Sequence, residues 1–297
     1  MITEIITINT EDGLENDGYI EKSNNNDSKE IVIATHGMNS NCFRKREKTI
    51  AKYCAENNID FMVFNNRGTE LAKSYRKLVD GKLVKELGGT CFENPEEGYI
   101  DIVAAINKAL SLGYENIYLQ GHSLGSTKML YTYTRLKKEN SELLKYIKGI
   151  ILLSLVDIPR ALKWRLQEEY NDVYNLALDK EKQGKIFDFM PDKTFICSMS
   201  VRTFLKYARD NENINFAQYA NKEYDFNEIN GIDVPVFMRW GNEHELIEQD
   251  AKDLVHFMND KIKNPKKDIN YIDGANHSYQ DKEDLLANQI VSFIKNS

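Results

Sequence analysis

Short apolar runs alternate with longer amphipathic stretches along most of the chain. Residues 2 to 9 alternate apolar and polar, as a half-buried strand does. The turn Thr10-Glu11-Asp12-Gly13 follows, and Gly18 to Lys22 returns as the second strand of a hairpin. Residues 24 to 28 are a polar loop. Ile31 to Thr35 is a continuous apolar run, the mark of a strand buried on both faces of a parallel sheet. A helix is expected over 43 to 57, a second buried strand at Asp60 to Asn65, and then a long loop containing Gly88-Gly89. Glu93 to Leu112 carries apolar residues at helical spacing (Ile100, Val103, Ile106, Leu110). Asn116 to Gln120 reads as a strand, 126 to 139 as a helix and Ile147 to Ser154 as a buried strand. Residues 158 to 231 break this rhythm. They are charged, aromatic and helix-like, without a clear buried strand. The alternation resumes with a strand at Val234 to Trp240, a helix over 248 to 262, a strand at Asp268 to Ile272 and a last helix ending near Ile294. The pattern predicts an α/β fold, a mostly parallel sheet with helices on both faces. In such sheets ligands bind beyond the carboxyl ends of the strands. His36, Asn65, Ser123, Asp157, Glu243, Glu245 and His277 all follow expected strands, so they gather at that edge.

Gly121-His122-Ser123-Leu124-Gly125 sits between one of those strands and the next helix. Gly-x-Ser-x-Gly in this setting is a nucleophile elbow. The turn is so sharp that side chains two residues either side of its centre would collide with it, which requires glycine there. The hydroxyl of Ser123 would then stand at the mouth of the sheet. The N–H of Leu124, in the first turn of the helix, would be free to bind negative charge.

Size and composition narrow the picture only a little. A chain of 297 residues, 41% apolar, suits one large α/β domain with an insertion. A formal charge of −7 argues against nucleic acid or an anionic membrane as the main partner. No run approaches the roughly 20 apolar residues of a membrane span, and the first residues lack a secretory signal, so a cytoplasmic protein is expected. Cys42, Cys54, Cys91 and Cys197 are scattered without metal-type spacing and read as free thiols.

A serine hydroxyl needs a base within hydrogen-bond reach and a third group to orient that base. His277, in a loop after the last strand with Gly274 and Ala275 leaving room, is the expected base. His122 is expected to pack beside the elbow, His36 to shape its loop, and His256 to sit on a helix surface. The acid is expected after the strand ending at Trp240, where Glu243 and Glu245 flank His244. Glu245 is preferred, because Leu246-Ile247 should anchor that end of the loop; Glu243 is the alternative and Asp157 the outside candidate. The oxyanion donors would be the N–H groups of Met38 and Leu124.

Together, His36-Gly37, Asn65-Asn66-Arg67-Gly68, Gly121 to Gly125, Gly241 with its nearby acids, and Gly274-x-x-His277 resemble the landmarks of the α/β-hydrolase superfamily. They stand in that superfamily's order, nucleophile then acid then histidine, and span nearly the whole chain. More narrowly, residues 88 to 130 look similar to a group whose fungal relatives include siderophore esterases. The resemblance implies an acyl-enzyme hydrolase for a small-molecule acyl substrate, requiring no metal or organic cofactor. It also implies a core of residues 1–157 and 232–297 with 158–231 as a lid, whose aromatics (Trp164, Tyr170, Tyr174, Phe187, Phe189, Phe195, Phe204, Tyr207, Phe216 and Tyr219) are candidates for an acyl pocket, with at least half of them expected simply to pack the lid onto the body. One landmark departs: the superfamily's usual aspartate, three residues past the glycine, is His244 here. Esterase is the leading reading, with amide or thioester cleavage next and a non-catalytic binding module the reading from another class.

Overall fold

The computed structural model describes residues 2–24, 28–191, 194–209 and 214–297. Most of the polar loop expected at 24–28 lies outside the described residues, as do short pieces of the 158–231 segment. In chain order the elements begin with β1 (Ile2–Asn9), β2 (Glu15–Lys22), β3 (Glu30–Thr35), α1 (Lys45–Glu56) and β4 (Asp60–Phe64). An antiparallel pair follows, β5 (Lys73–Val79) and β6 (Lys82–Gly88). Next come α2 (Gly98–Ser111), β7 (Asn116–His122), α3 (Leu124–Lys138) and β8 (Ile147–Leu153). The inserted segment carries α4 (Ile158–Leu166), α5 (Tyr170–Lys182), α6 (Val201–Ala208) and the short α7 (Asn227–Asn230). The chain ends with β9 (Val236–Gly241), α8 (Ala251–Lys261), β10 (Lys267–Ile272) and α9 (Glu283–Lys295).

Eight strands form one sheet in the order β1-β2-β4-β3-β7-β8-β9-β10. The pairs from β4 through β10 are parallel, while β1 pairs antiparallel with β2, and β2 with β4. The expected loop at 66–92 holds the β5–β6 hairpin instead. Its turn, Asp80-Gly81, has both residues at positive φ, which suits a two-residue hairpin. The helix expected from Glu93 begins only at Gly98, because a separate short turn led by Pro95 precedes it.

The central strands are apolar throughout because both faces are covered. In β3, Ile31 and Ile33 point into one buried layer, with Ile102, Leu119, Met129 and Met238. Val32 and Ala34 point into the other, with Ile50, Phe61, Ile151, Phe237 and Ile290. Parallel pairing places the carboxyl ends of β3, β4, β7, β8, β9 and β10 along one edge. A third apolar cluster sits at that edge. It joins Met38 and Leu124 to Val156, Leu162, Phe195, Met199, Phe204 and Tyr207, and so seats the inserted helices there. All four cysteines are free.

Candidate active site

Ser123 stands between β7 and α3 with φ 55° and ψ −124°, a backbone region that L residues rarely adopt. The neighbouring glycines permit this. A Cβ on Gly121 would lie 2.3 Å from the Gly125 carbonyl oxygen, and one on Gly125 would lie 2.4 Å from that of Thr35. Gly37 brings the loop after β3 against the elbow: a Cβ there would lie 2.9 Å from the Ser123 Cβ. The Leu124 N–H opens α3 and has no acceptor within that helix. Beyond Met38, the Asn39 N–H donates to Thr90 Oγ1 at 3.1 Å and holds the loop in place.

Glu245 and His277 meet across two loops. One Glu245 oxygen receives Nδ1 of His277. The other accepts the Ser154 hydroxyl at 2.9 Å and the Gly241 N–H at 3.0 Å. Glu245 is buried, and burial by itself would raise its carboxyl. The adjacent His277 charge, its hydrogen bond and the two further donors outweigh that, so the group stays below the usual carboxylate range. The longer side chain and a left-handed His244, φ 50°, let a glutamate at 245 reach the imidazole. Glu243 is exposed, and only its backbone N–H is engaged, with the Ala275 carbonyl at 2.9 Å. Asp157 caps α4, accepting the Arg160 N–H at 3.1 Å. Burial pushes its carboxyl up to about 6, although the Arg160 and Tyr219 N–H groups partly offset this.

Ser123, His122 and His277 line one open cleft of about 560 Å³ together with Gly37, Met38 and residues 44–46 at the start of α1 and just before it. Neither the Ser123 hydroxyl nor His277 Nε2 bonds another protein group among the described residues, so both face the cleft uncommitted. His122 does more than pack beside the elbow. Its Nε2 donates to the His277 carbonyl at 2.7 Å, and the two rings lie 4.9 Å apart. Burial, then the Arg46 and His277 charges, push the His122 pKa well down, which keeps the ring neutral and the donor in place. His36 is fully buried and bonds Thr69 Oγ1 at 2.6 Å. His256 lies exposed on α8, 3.6 Å from Asp260.

The aromatic pocket expected from 158–231 does not surround Ser123. None of the ten aromatics lines the cleft, where Ile196 is that segment's contribution among the described residues. Phe195, Phe204, Tyr207, Phe216 and Tyr219 are spent on packing, and Trp164, Phe187 and Phe189 are exposed. Two further features had no signal in local sequence. Ser154 holds the acid, and a buried ion pair, Lys128 of α3 with Glu93, lies behind the elbow.

No protein-family profile matches the sequence, and no curated protein matches it. Solved structures do. Est1E from Butyrivibrio proteoclasticus, solved with ferulic acid bound, is 15% identical with a TM-score of 0.67, covering 98% of each chain. The mouse alpha/beta hydrolase domain-containing protein 10 is 13% identical with a TM-score of 0.63, covering 99% of each. A soluble variant of the Saccharomyces cerevisiae monoglyceride lipase, in complex with a substrate analog, is 15% identical with a TM-score of 0.62, covering 100% of this chain and 96% of that one. With its sheet order, its serine elbow and these likenesses over full length, the chain has the α/β-hydrolase fold.

Proposed function

We propose that the protein is a serine hydrolase that cleaves a carboxylic ester of a small or medium-sized organic substrate. Ser123 Oγ attacks the ester carbonyl and passes its proton to His277 Nε2. Glu245 holds Nδ1–H and stabilises the imidazolium that forms. The negative charge on the tetrahedral oxygen rests on the N–H groups of Met38 and Leu124. Collapse breaks the bond to the alcohol, which leaves with the proton from His277. Water, deprotonated by the same imidazole, then releases the acid from Ser123.

The observation that carries this reading is the Glu245–His277 pair, whose imidazole lines the same cleft as a serine on a strained elbow. A hydrogen-bonded carboxylate fixes the tautomer that leaves Nε2 free to take a proton, which is what a base for Ser123 requires. An esterase and a lipase among the solved structures of this fold add support. Amide and thioester cleavage use the same machinery, and a substrate panel separates them from ester cleavage.

The test is labelling by a serine-reactive fluorophosphonate together with turnover of p-nitrophenyl acetate. Both are expected in the native chain and absent in Ser123→Ala. A native protein that neither labels nor turns over the ester would make it a binding module that has kept the fold alone.

A further inference from the structure

The β5–β6 hairpin carries an unusual share of the exposed apolar surface. Leu78 (45%), Val79 (43%), Leu83 (64%) and Val84 (46%) surround its turn, and all are exposed. The strand register places Leu78 opposite Leu83 and Arg76 opposite Lys85, and opposed residues share a face. The other face carries Val79 opposite Lys82 and Lys77 opposite Val84. The outward face is therefore apolar at its Leu78–Leu83 rung, while the other face alternates Val79 and Val84 with Lys82 and the inward, ion-paired Lys77. A Cβ on Gly81 would meet nothing within 4 Å, so the turn itself stands clear of the body. At the Leu78 rung the backbone is already anchored to the β1–β2 turn: the Leu78 N–H bonds the Asp12 carbonyl at 2.8 Å, and Lys77 lies 3.5 Å from the Asp12 carboxylate. Among the described residues the outer edge of β6 has no partner strand.

Charge along this hairpin opposes that of the whole chain. Between residues 76 and 85 stand Arg76, Lys77, Lys82 and Lys85 against the single acid Asp80, in a protein of net charge −7. The Arg76–Lys85 rung lies two residues behind the Leu78–Leu83 rung, about 7 Å at the usual rise per residue. That spacing matches the roughly 5–10 Å to which interfacial segments bury apolar groups beneath the lipid headgroups.

We propose that the outward face of this hairpin docks the protein on an anionic lipid surface, with Leu78 and Leu83 toward the acyl chains and Arg76 and Lys85 against the phosphates. The cationic collar asks for an anionic surface, since each basic group near one adds roughly fivefold in binding. Nothing spans the bilayer in this arrangement: among the described residues no helix is long and apolar enough to cross a membrane. The hairpin's base meets the cleft wall, where Thr90 receives the Asn39 N–H at 3.1 Å.

The test is co-sedimentation of the full chain with vesicles of phosphatidylcholine and phosphatidylglycerol, against vesicles of phosphatidylcholine alone. Binding to the mixed vesicles that weakens as salt rises is the expected result. Arg76→Gln with Lys85→Gln should weaken it by tenfold or more, Leu78→Glu with Leu83→Glu should abolish it, and Asp80→Asn should strengthen it. All these positions are exposed, so circular dichroism and melting temperature should stay at the native values. Absence of binding to the mixed vesicles at low salt overturns the proposal, as does binding indifferent to the leucine substitutions. A dimer in solution that the same substitutions dissolve, with no vesicle binding, would assign the hairpin to a second copy of the chain and overturn it too.

Discussion

Glu245 holds Nδ1 of His277 with one carboxylate oxygen while Ser154 and the Gly241 N–H occupy the other. The acid is thus pinned from three sides, and its orientation does not depend on the substrate. Glu245→Gln keeps the size but favours the wrong imidazole tautomer. Esterase turnover should fall by about 10²–10⁴, on the scale seen for acid-to-amide changes in such triads. Glu243→Gln, whose side chain is exposed, should stay within about twofold of native. Steady-state kinetics on p-nitrophenyl acetate decides. If Glu245→Gln loses less than tenfold, Glu245 is not the orienting acid and Asp157 is next to test.

His122 gives a second readout of the same loop. Its Nε2–H tethers the His277 backbone at 2.7 Å. His122→Phe keeps a ring but removes the donor. We expect kcat to fall by about tenfold, of the order of one well-placed hydrogen bond, with KM little changed, because the imidazole is displaced rather than the substrate site. His122→Gln, which can still donate, should recover part of the loss. Equal losses in both variants would mean that packing, not the tether, matters here.

Behind the elbow, Lys128 of α3 and Glu93 form an ion pair whose side chains are each 1% exposed. Asn66 accepts a further bond from Lys128 at 3.2 Å, and the Glu93 backbone carbonyl accepts the Thr203 hydroxyl of α6 at 3.1 Å. The pair therefore links the helix that follows Ser123 to α6. Removing one partner strands a buried charge, so Lys128→Met should cost about 3–5 kcal/mol. Lys128→Met combined with Glu93→Gln should regain much of that loss, and chemical denaturation of the four proteins gives the coupling directly. Additive losses would mean that the two charges are individually solvated.

The central strands could be read from the chain because both of their faces are buried, so apolar runs such as Ile31 to Thr35 carry no polar interruption. The elbow could be read because its glycines are dictated by contacts within a few residues of the chain: Gly121 meets Gly125 itself. The β5–β6 hairpin was missed although Asp80-Gly81 is a strong turn signal. Its strands lack the clean alternation of a half-buried sheet, since outward positions such as Leu78 and Leu83 are apolar and inward Lys77 is charged. What Ser154, His122, Lys128 and Glu93 do is settled by contacts between residues 35 to 155 positions apart, which no local pattern records. The same holds for the aromatics of 158–231: composition announced them, but tertiary packing decided that they fill the insertion rather than line the cleft.

Asp157 provides a pH-dependent check that is separable from catalysis. Its carboxyl is pushed up to about 6 in the folded chain, chiefly by burial, from an ordinary value of 3.8. The folded state therefore holds this proton more tightly than the unfolded state does. Stability contributed by the group is present below about pH 4 and is lost as pH rises from there through 6. At 1.36 kcal/mol per pH unit the loss is at most about 3 kcal/mol, and partial solvent access reduces it. Asn caps a helix as well as Asp does, so Asp157→Asn should match the native protein near pH 4. At pH 8 it should melt a few degrees higher. Its esterase activity should stay within about twofold of native, because Asp157 lies outside the cleft that holds Ser123 and His277. Thermal melts of both proteins from pH 4 to 8 measure the difference. Parallel curves would show that Asp157 ionises in the fold as it does in water, and a large loss of turnover in the variant would move the acid of the site from Glu245 to Asp157.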